Sequence, residues 1–191
     1  YLEAPRQPEP GDAMQGGYLG PAWSDADIAD WLAGRELPHA TFTDEAALAA
    51  QVAALFEEGA VVGWFQGRME FGPRALGGRS IIGDPRSPQM QSRMNLKIKY
   101  RESFRPFAPV VLAERAGEWF DLDRPSPYML IVADVHPDRR LAPPAGSEAL
   151  FGIERLQVPR STIPAITHVD GSARVQTVDG RHNPRFRALL E

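Results

Sequence analysis

The sequence predicts an α/β fold of the α+β kind, a mixed twisted sheet with helices packed on it. Three observations carry this. Short apolar runs suited to buried strands alternate with capped, amphipathic helical stretches. Glycine and proline punctuate the boundaries between them. Two alternating runs, Pro164–Val169 and Ala173–Val178, flank Asp170-Gly171, the turn pair of a β-hairpin. The chain has 191 residues, of which 43% are hydrophobic and 24% charged. That is enough for one ordinary hydrophobic core.

The elements follow in order. Residues 1–23, opening on a stretch rich in proline, glycine and acid, are expected to be a linker from an upstream domain, with 24–191 forming one domain. Ser24 is placed to cap a short helix whose apolar stripe is Ile28, Trp31 and Leu32, with Gly34 at its stop. Thr43-Asp44-Glu45 caps a second helix carrying Leu48, Val52, Leu55 and Phe56, ended near Gly59. Ala60–Phe65 is a continuous apolar run and reads as a buried strand. Gln66–Asp84 reads as loop and short strand. Ser87-Pro88 opens a helix through about Lys97. Phe107–Leu112 and Tyr128–Val135 are strands, with a short helix over Glu114–Phe120 between them. Residues 137–160 form a surface loop with a short helical piece. Asn183-Pro184 caps a last helix.

Composition narrows the chemistry. The sequence contains no cysteine, which removes disulfides, thiolate nucleophiles and cysteine metal sites. No apolar run approaches the roughly 18 residues of a membrane span. A cytoplasmic protein without a membrane partner is expected. The net charge is −4, unevenly spread. Gln66–Pro106 holds nine basic and three acidic residues, a net +6, which leaves −10 elsewhere. A small basic focus in an acidic protein suits a small anion such as phosphate and disfavours nucleic acid. Lys97 and Lys99 are the only lysines among 21 basic residues. A compact ammonium, unlike a planar guanidinium, is thus concentrated at one place.

Three segments can carry chemistry. Gly67-Arg68-Met69-Glu70-Phe71-Gly72-Pro73-Arg74-Ala75-Leu76-Gly77-Gly78-Arg79-Ser80 combines glycines, which let backbone amides approach an oxyanion, with arginines that bind phosphate through two donors. It is not a Walker loop, because Gly78 stands where the lysine belongs. Read alone, it is equally a tight-turn loop with surface arginines. In Lys97–Pro109, an extended Lys99-Tyr100-Arg101 would set Lys99 and Arg101 on one face and leave Tyr100 to pack on the other. Glu102 is a salt-bridge partner for a neighbouring arginine. In His168–Gln176, Ser172 and Arg174 share a face and can meet a phosphate or a ribose. His39, His136, His168 and His182 are scattered, so no metal site is expected.

Taken together, Gly67–Arg86, Asn95–Pro109 and the run Pro164-Ala165-Ile166-Thr167-His168-Val169-Asp170-Gly171-Ser172-Ala173-Arg174-Val175-Gln176 resemble the C-terminal domain of the nodulation-protein and antibiotic O-carbamoyltransferase family. The resemblance covers roughly residues 40–190. It implies a YrdC-like domain that binds ATP and carbamoyl phosphate, with magnesium accompanying the nucleotide, and forms carbamoyl adenylate. The adenylate would pass to an actin-like, metal-dependent N-terminal domain of the same chain for transfer to a hydroxyl. On this resemblance Lys99, Arg74 and Arg79 are the catalytic candidates. Arg68, Arg101, Arg105, Ser172 and Arg174 are the candidates for substrate and nucleotide binding. Clustered fixed cations fit a reaction that brings two anions together, and no side-chain nucleophile is required. The alternatives are another YrdC-like carbamoyl-adenylate-forming domain, an RNA-binding module using the same basic groove, and a structural lid without activity.

Overall fold

The computed structural model describes residues 11–191. Helix α1 (Asp25–Ala33) opens on a reciprocal capping box: the Ser24 hydroxyl accepts from the Asp27 amide, and the Asp27 carboxylate accepts from the Ser24 amide. Helix α2 (Glu45–Glu57) starts where the Asp44 carboxylate takes the Ala46 amide at 2.9 Å. It stops where Gly59 turns to φ +76° and the amides of Gly59 and Ala60 close back on Phe56 and Leu55. These ends match the sequence reading because a cap is a contact between near neighbours in the chain.

The strands form two sheets. β1 (Val62–Phe65) pairs antiparallel with β2 (Arg79–Ile82) as a separate ribbon. The second sheet is the expected mixed one, in the order β3-β5-β4. In it β5 (Ser172–Val178) lies parallel to β3 (Val110–Leu112) and antiparallel to β4 (Ile131–Asp134). Helices α3 (Met90–Arg93), α4 (Ile153–Leu156) and α5 (Pro184–Leu190) complete the set. The Asn183 side chain caps α5 by accepting from the Phe186 amide at 3.0 Å.

Three clusters make the core. Phe120, Ala133, Val135, Ile163, Ile166, Ala173 and Val175 pack on one side of β5 and β4. Val52, Trp64, Val178 and Phe186 join α2, the inner face of the ribbon and α5. Met90, Met94 and Ala165 form the third, with Val61 and Phe107 against it. Central position explains why β5 is buried along nearly its whole length; Arg174 is its only half-buried residue.

Three sequence expectations are corrected. Pro164–Val169 is not the partner strand of a hairpin. Pro164–Ile166 is a 3-10 turn, and a tight turn runs from His168 to Ser172, whose carbonyl takes the His168 amide at 2.9 Å. Hydroxyl contacts replace a strand ladder there: Ser161 to Thr167 at 2.7 Å and Thr167 to the Ile163 carbonyl at 2.9 Å. β5 takes its partners from β3 and β4 instead. Secondly, Ser87 caps no helix. Asp84 folds Arg86 and Ser87 into its own turn, and α3 begins only at Met90. Thirdly, Lys99-Tyr100-Arg101 is not extended. A π-helical turn over Met94–Ile98 ends there, Lys99 is helical, and Tyr100 sits at φ +47°, 86% exposed rather than packed.

Candidate functional site

The glycine-rich loop has the shape its sequence asks for, but its amides hold a carboxylate of the chain itself. Buried Glu70 accepts the amides of Leu76 at 2.6 Å, Gly78 at 2.8 Å and Arg79 at 3.3 Å through one oxygen. Two glycines permit this closure. A Cβ on Gly78 would lie 2.7 Å from the Arg68 carbonyl. Gly77, at φ +108°, leaves room for the Phe186 ring, only 2.3 Å from where its Cβ would stand. The Leu76 carbonyl then accepts from the Tyr18 hydroxyl at 2.6 Å and from Gln176 Nε2 at 2.8 Å. The loop is thus pinned to β5 on one side and to residues near the start of the described chain on the other.

The pinned loop bears Arg74, and the strand to which it is fastened bears Arg174. Both guanidinium groups have a buried Nε without a hydrogen-bond partner among the described residues. Burial, and after it the positive charge of Arg74, lowers the pKa of Arg174. A guanidinium that is partly desolvated, with a donor unmet and a like charge within electrostatic reach, is costly for a domain to hold on its own. An anion within reach of such a group relieves both the repulsion and the unmet donor. Ser172 lies two residues along on the same face of β5, where its hydroxyl is turned to Asp170 at 2.7 Å.

The other cations named by the sequence are held differently. Arg79 donates to the carbonyls of Gln66, Gly78 and Gly67 at 2.7–3.1 Å. Its guanidinium lies 3.5 Å over the Phe65 ring. It braces the ribbon through three of its five N–H donors. Arg68 donates to the Gly20 carbonyl at 2.9 Å. Arg105 pairs with Glu102 at 3.2 Å on an exposed turn. Arg101 gives Nε to the Asn95 side chain at 2.6 Å and lies 4.9 Å from the Phe107 ring centroid. Lys97 and Lys99 are exposed.

Three contributors escaped the sequence reading. Glu70 was counted there only as one of three acids in the basic stretch. Asn95, fully buried, organises the second cluster by donating to the Ser103 and Arg105 carbonyls and accepting from Arg101. Asn183 accepts from Gln66 at 2.5 Å and donates to Tyr18 at 2.9 Å. Tyr18, Gln66 and Asn183, with Arg68, Arg181 and Arg185, line an open groove of about 680 Å³. The only advance signal was Asn183 as a helix cap.

Residues 53–191 match the family described as Carbamoyltransferase C-terminus. The chain belongs to that family. Among relatives of this carbamoyltransferase domain is an uncharacterized protein of Synechocystis sp., 59% identical over 192 residues, covering 100% of this chain and 31% of that protein. Nodulation protein NolO of Bradyrhizobium diazoefficiens is 36% identical over 183 residues, 94% of this chain and 30% of its own. The 3'-hydroxymethylcephem-O-carbamoyltransferase of Streptomyces clavuligerus is 41% identical over 147 residues, 77% of this chain and 23% of its own. The chain therefore spans less than a third of the length of these curated relatives. Among the described residues, no helix is long and apolar enough to cross a membrane.

Proposed function

We propose that this domain serves an O-carbamoyltransferase by binding carbamoyl phosphate and ATP and joining carbamate to AMP. The observation that carries the reading is the Arg74–Arg174 pair, with its two buried, unpartnered Nε atoms. Loss of phosphate from carbamoyl phosphate to water leaves carbamate. A carbamate oxygen then attacks the α-phosphorus of ATP, the bond to the β-phosphate oxygen breaks, and pyrophosphate departs. Each step gathers negative charge in one place, and fixed guanidinium groups lower its energy without reorganising. Lys99, exposed at the end of the π-helical turn, would add a mobile point charge to the anions. Magnesium would be carried mainly by the triphosphate, as is usual for this ion. Transfer of the carbamoyl group to a hydroxyl would use an actin-like domain preceding this one in the longer protein.

Thermal shift tests the reading. Ligand at 100 times its dissociation constant adds about 2.7 kcal/mol to stability, so ATP with magnesium, or carbamoyl phosphate, raises the Tm of the chain. Arg174→Gln removes the rise without lowering the unliganded Tm, because it also removes a partly desolvated charge and its repulsion with Arg74. No rise with either ligand at millimolar concentration would refute the assignment.

A further inference from the structure

Helix α1 and the outer face of the β1–β2 ribbon are built as packing surfaces, yet they meet little of the described residues. α1 has no buried residue, although Ile28, Trp31 and Leu32 recur at helical spacing. At nine residues it is shorter than the roughly 12–15 at which a helix holds itself in water. Its capping box fixes where it starts but supplies no face to pack on. In the ribbon, Phe65 stands opposite Arg79 and Gly63 opposite Ile81, so these four share one face. The opposite face, with Val62, Trp64 and Ile82, enters the core. The outer face leaves Phe65 55% exposed. Trp23 leans on Phe65 with ring centroids 5.7 Å apart and is itself 48% exposed.

α1 is also not a loose tether. The bridge Ala22↔Arg68 and the bonds Gly20 to Met69 and Met69 to Pro21, both 2.9 Å, hold the incoming chain to the loop after β1. Trp23 and Ser24 alone separate this anchor from the helix. Trp23 and the ribbon face therefore lie together as an exposed apolar patch, and α1 starts two residues beyond the anchor with its own apolar stripe uncovered, the kind of surface that marks an interface.

We propose that this surface is the seat of the domain that precedes this one in the longer proteins of the family. Two observations select that occupant. The family match begins at residue 53, whereas the Synechocystis relative matches 100% of the chain and is about three times as long. The region around α1 thus belongs to the longer protein while lying outside the family's C-terminal segment. The charge selects further. Asp25, Asp27 and Asp30 lie on α1 with no basic residue among its positions. The matching face is apolar with a basic rim. The proposal rests on family membership and not on the adenylate chemistry.

Hydrogen–deuterium exchange, read by mass spectrometry on the 191-residue chain and on the intact Synechocystis protein, tests it. In the chain, amides 24–34 exchange close to the unstructured rate. In the intact protein the matching segment exchanges at least ~100-fold more slowly, the mark of a buried helix. Lysine at the two positions matching Trp31 and Phe65 restores fast exchange in the intact protein. The ATP-induced Tm rise of the chain survives Trp31→Lys, so failure of the seat and failure of the nucleotide reading are told apart. Equal exchange in chain and intact protein overturns the proposal. So does slow exchange in the chain that grows with concentration and accompanies a dimer in light scattering, which would make a second copy the occupant. Lysine variants of the intact protein that stay protected also overturn it.

Discussion

Glu70→Ala removes the acceptor of three backbone amides in one change. Two of those bonds are short, 2.6 and 2.8 Å, and the third is 3.3 Å. A hydrogen bond to a charged group is worth about 1.5–3 kcal/mol net, and an amide left buried without a partner costs a similar amount. Counting only the two short bonds, and allowing water to reach part of the opened loop, gives a loss of about 3–4 kcal/mol. Against a total stability on the order of 5–15 kcal/mol, that lowers Tm by roughly 10 °C for a domain of this size. Glu70→Gln keeps an oxygen in place and forfeits the charge, so its cost is about 1–2 kcal/mol. Urea denaturation with an unchanged m-value measures both. Arg74 sits inside the clamped segment, so the alanine variant also binds ATP more weakly while the glutamine variant retains most of its affinity. An alanine variant within about 1 kcal/mol of the parent, with nucleotide binding intact, would show that Glu70 does not set the loop.

Gly77→Ala meets both a φ of +108° and the Phe186 ring 2.3 Å from the new Cβ; it destabilises by more than about 3 kcal/mol, read as a loss of folded signal in thermal melts. Tyr128 and Asp12 give the alkaline and acid limbs of a pH profile. Burial, and next its bond to Asp12, pushes the Tyr128 hydroxyl up to about 12, so this contribution is complete below pH ~10 and fades towards pH 12. The Tyr128 hydroxyl, then the Gly16 and Met14 amides and the charge of His182, hold the Asp12 carboxyl below its usual range against the opposing effect of burial. Its contribution is therefore complete above pH ~4 and is lost on further acidification. Tyr128→Phe flattens the alkaline limb and shrinks the acid one, which urea melts across pH would reveal; a profile parallel to the parent's would refute the pairing. Lys99→Arg weakens ATP or carbamoyl phosphate binding by roughly 10- to 150-fold, the value of one charge-assisted contact, while Lys97→Arg leaves titration calorimetry unchanged. Equal, small effects would make the two lysines a solvated surface.

What the sequence revealed, and what it hid, divides by distance along the chain. Ser24 with Asp27, Asp44 with Ala46 and Asn183 with Phe186 are contacts within four residues, and each was legible. Pro164–Val178 was misread because alternation reports which residues can share a face, not which strand lies alongside. The partners of β5 are more than 35 residues away. Lys99–Arg101 was misread because its bend is dictated by Asn95, a buried polar side chain that no periodicity marks. The arginines were all visible, but their roles were not. An arginine aimed at carbonyls, such as Arg79, looks the same in sequence as one aimed at an anion. The better clue was Arg174 standing among Ala173, Val175 and Val178 in what must be a buried strand.

The carbonyl of Leu76 has a consequence for how the molecule comes into being. Its two donors, Tyr18 and Gln176, stand 58 and 100 positions away, and Asn183 reaches Tyr18 across 165. Contacts that close such long stretches of chain are slow to form, since the entropy of closure is lost before any contact compensates for it. While the protein is being synthesised, the segment bearing Arg74 has its own Glu70 to fold around but nothing to fasten it in place. β5 brings Arg174 and Gln176 late, and Asn183 later still. A nascent chain lacking those residues carries every arginine of the glycine-rich loop but none of the partners that fasten it, so the loop takes its final place only after translation has passed residue 183.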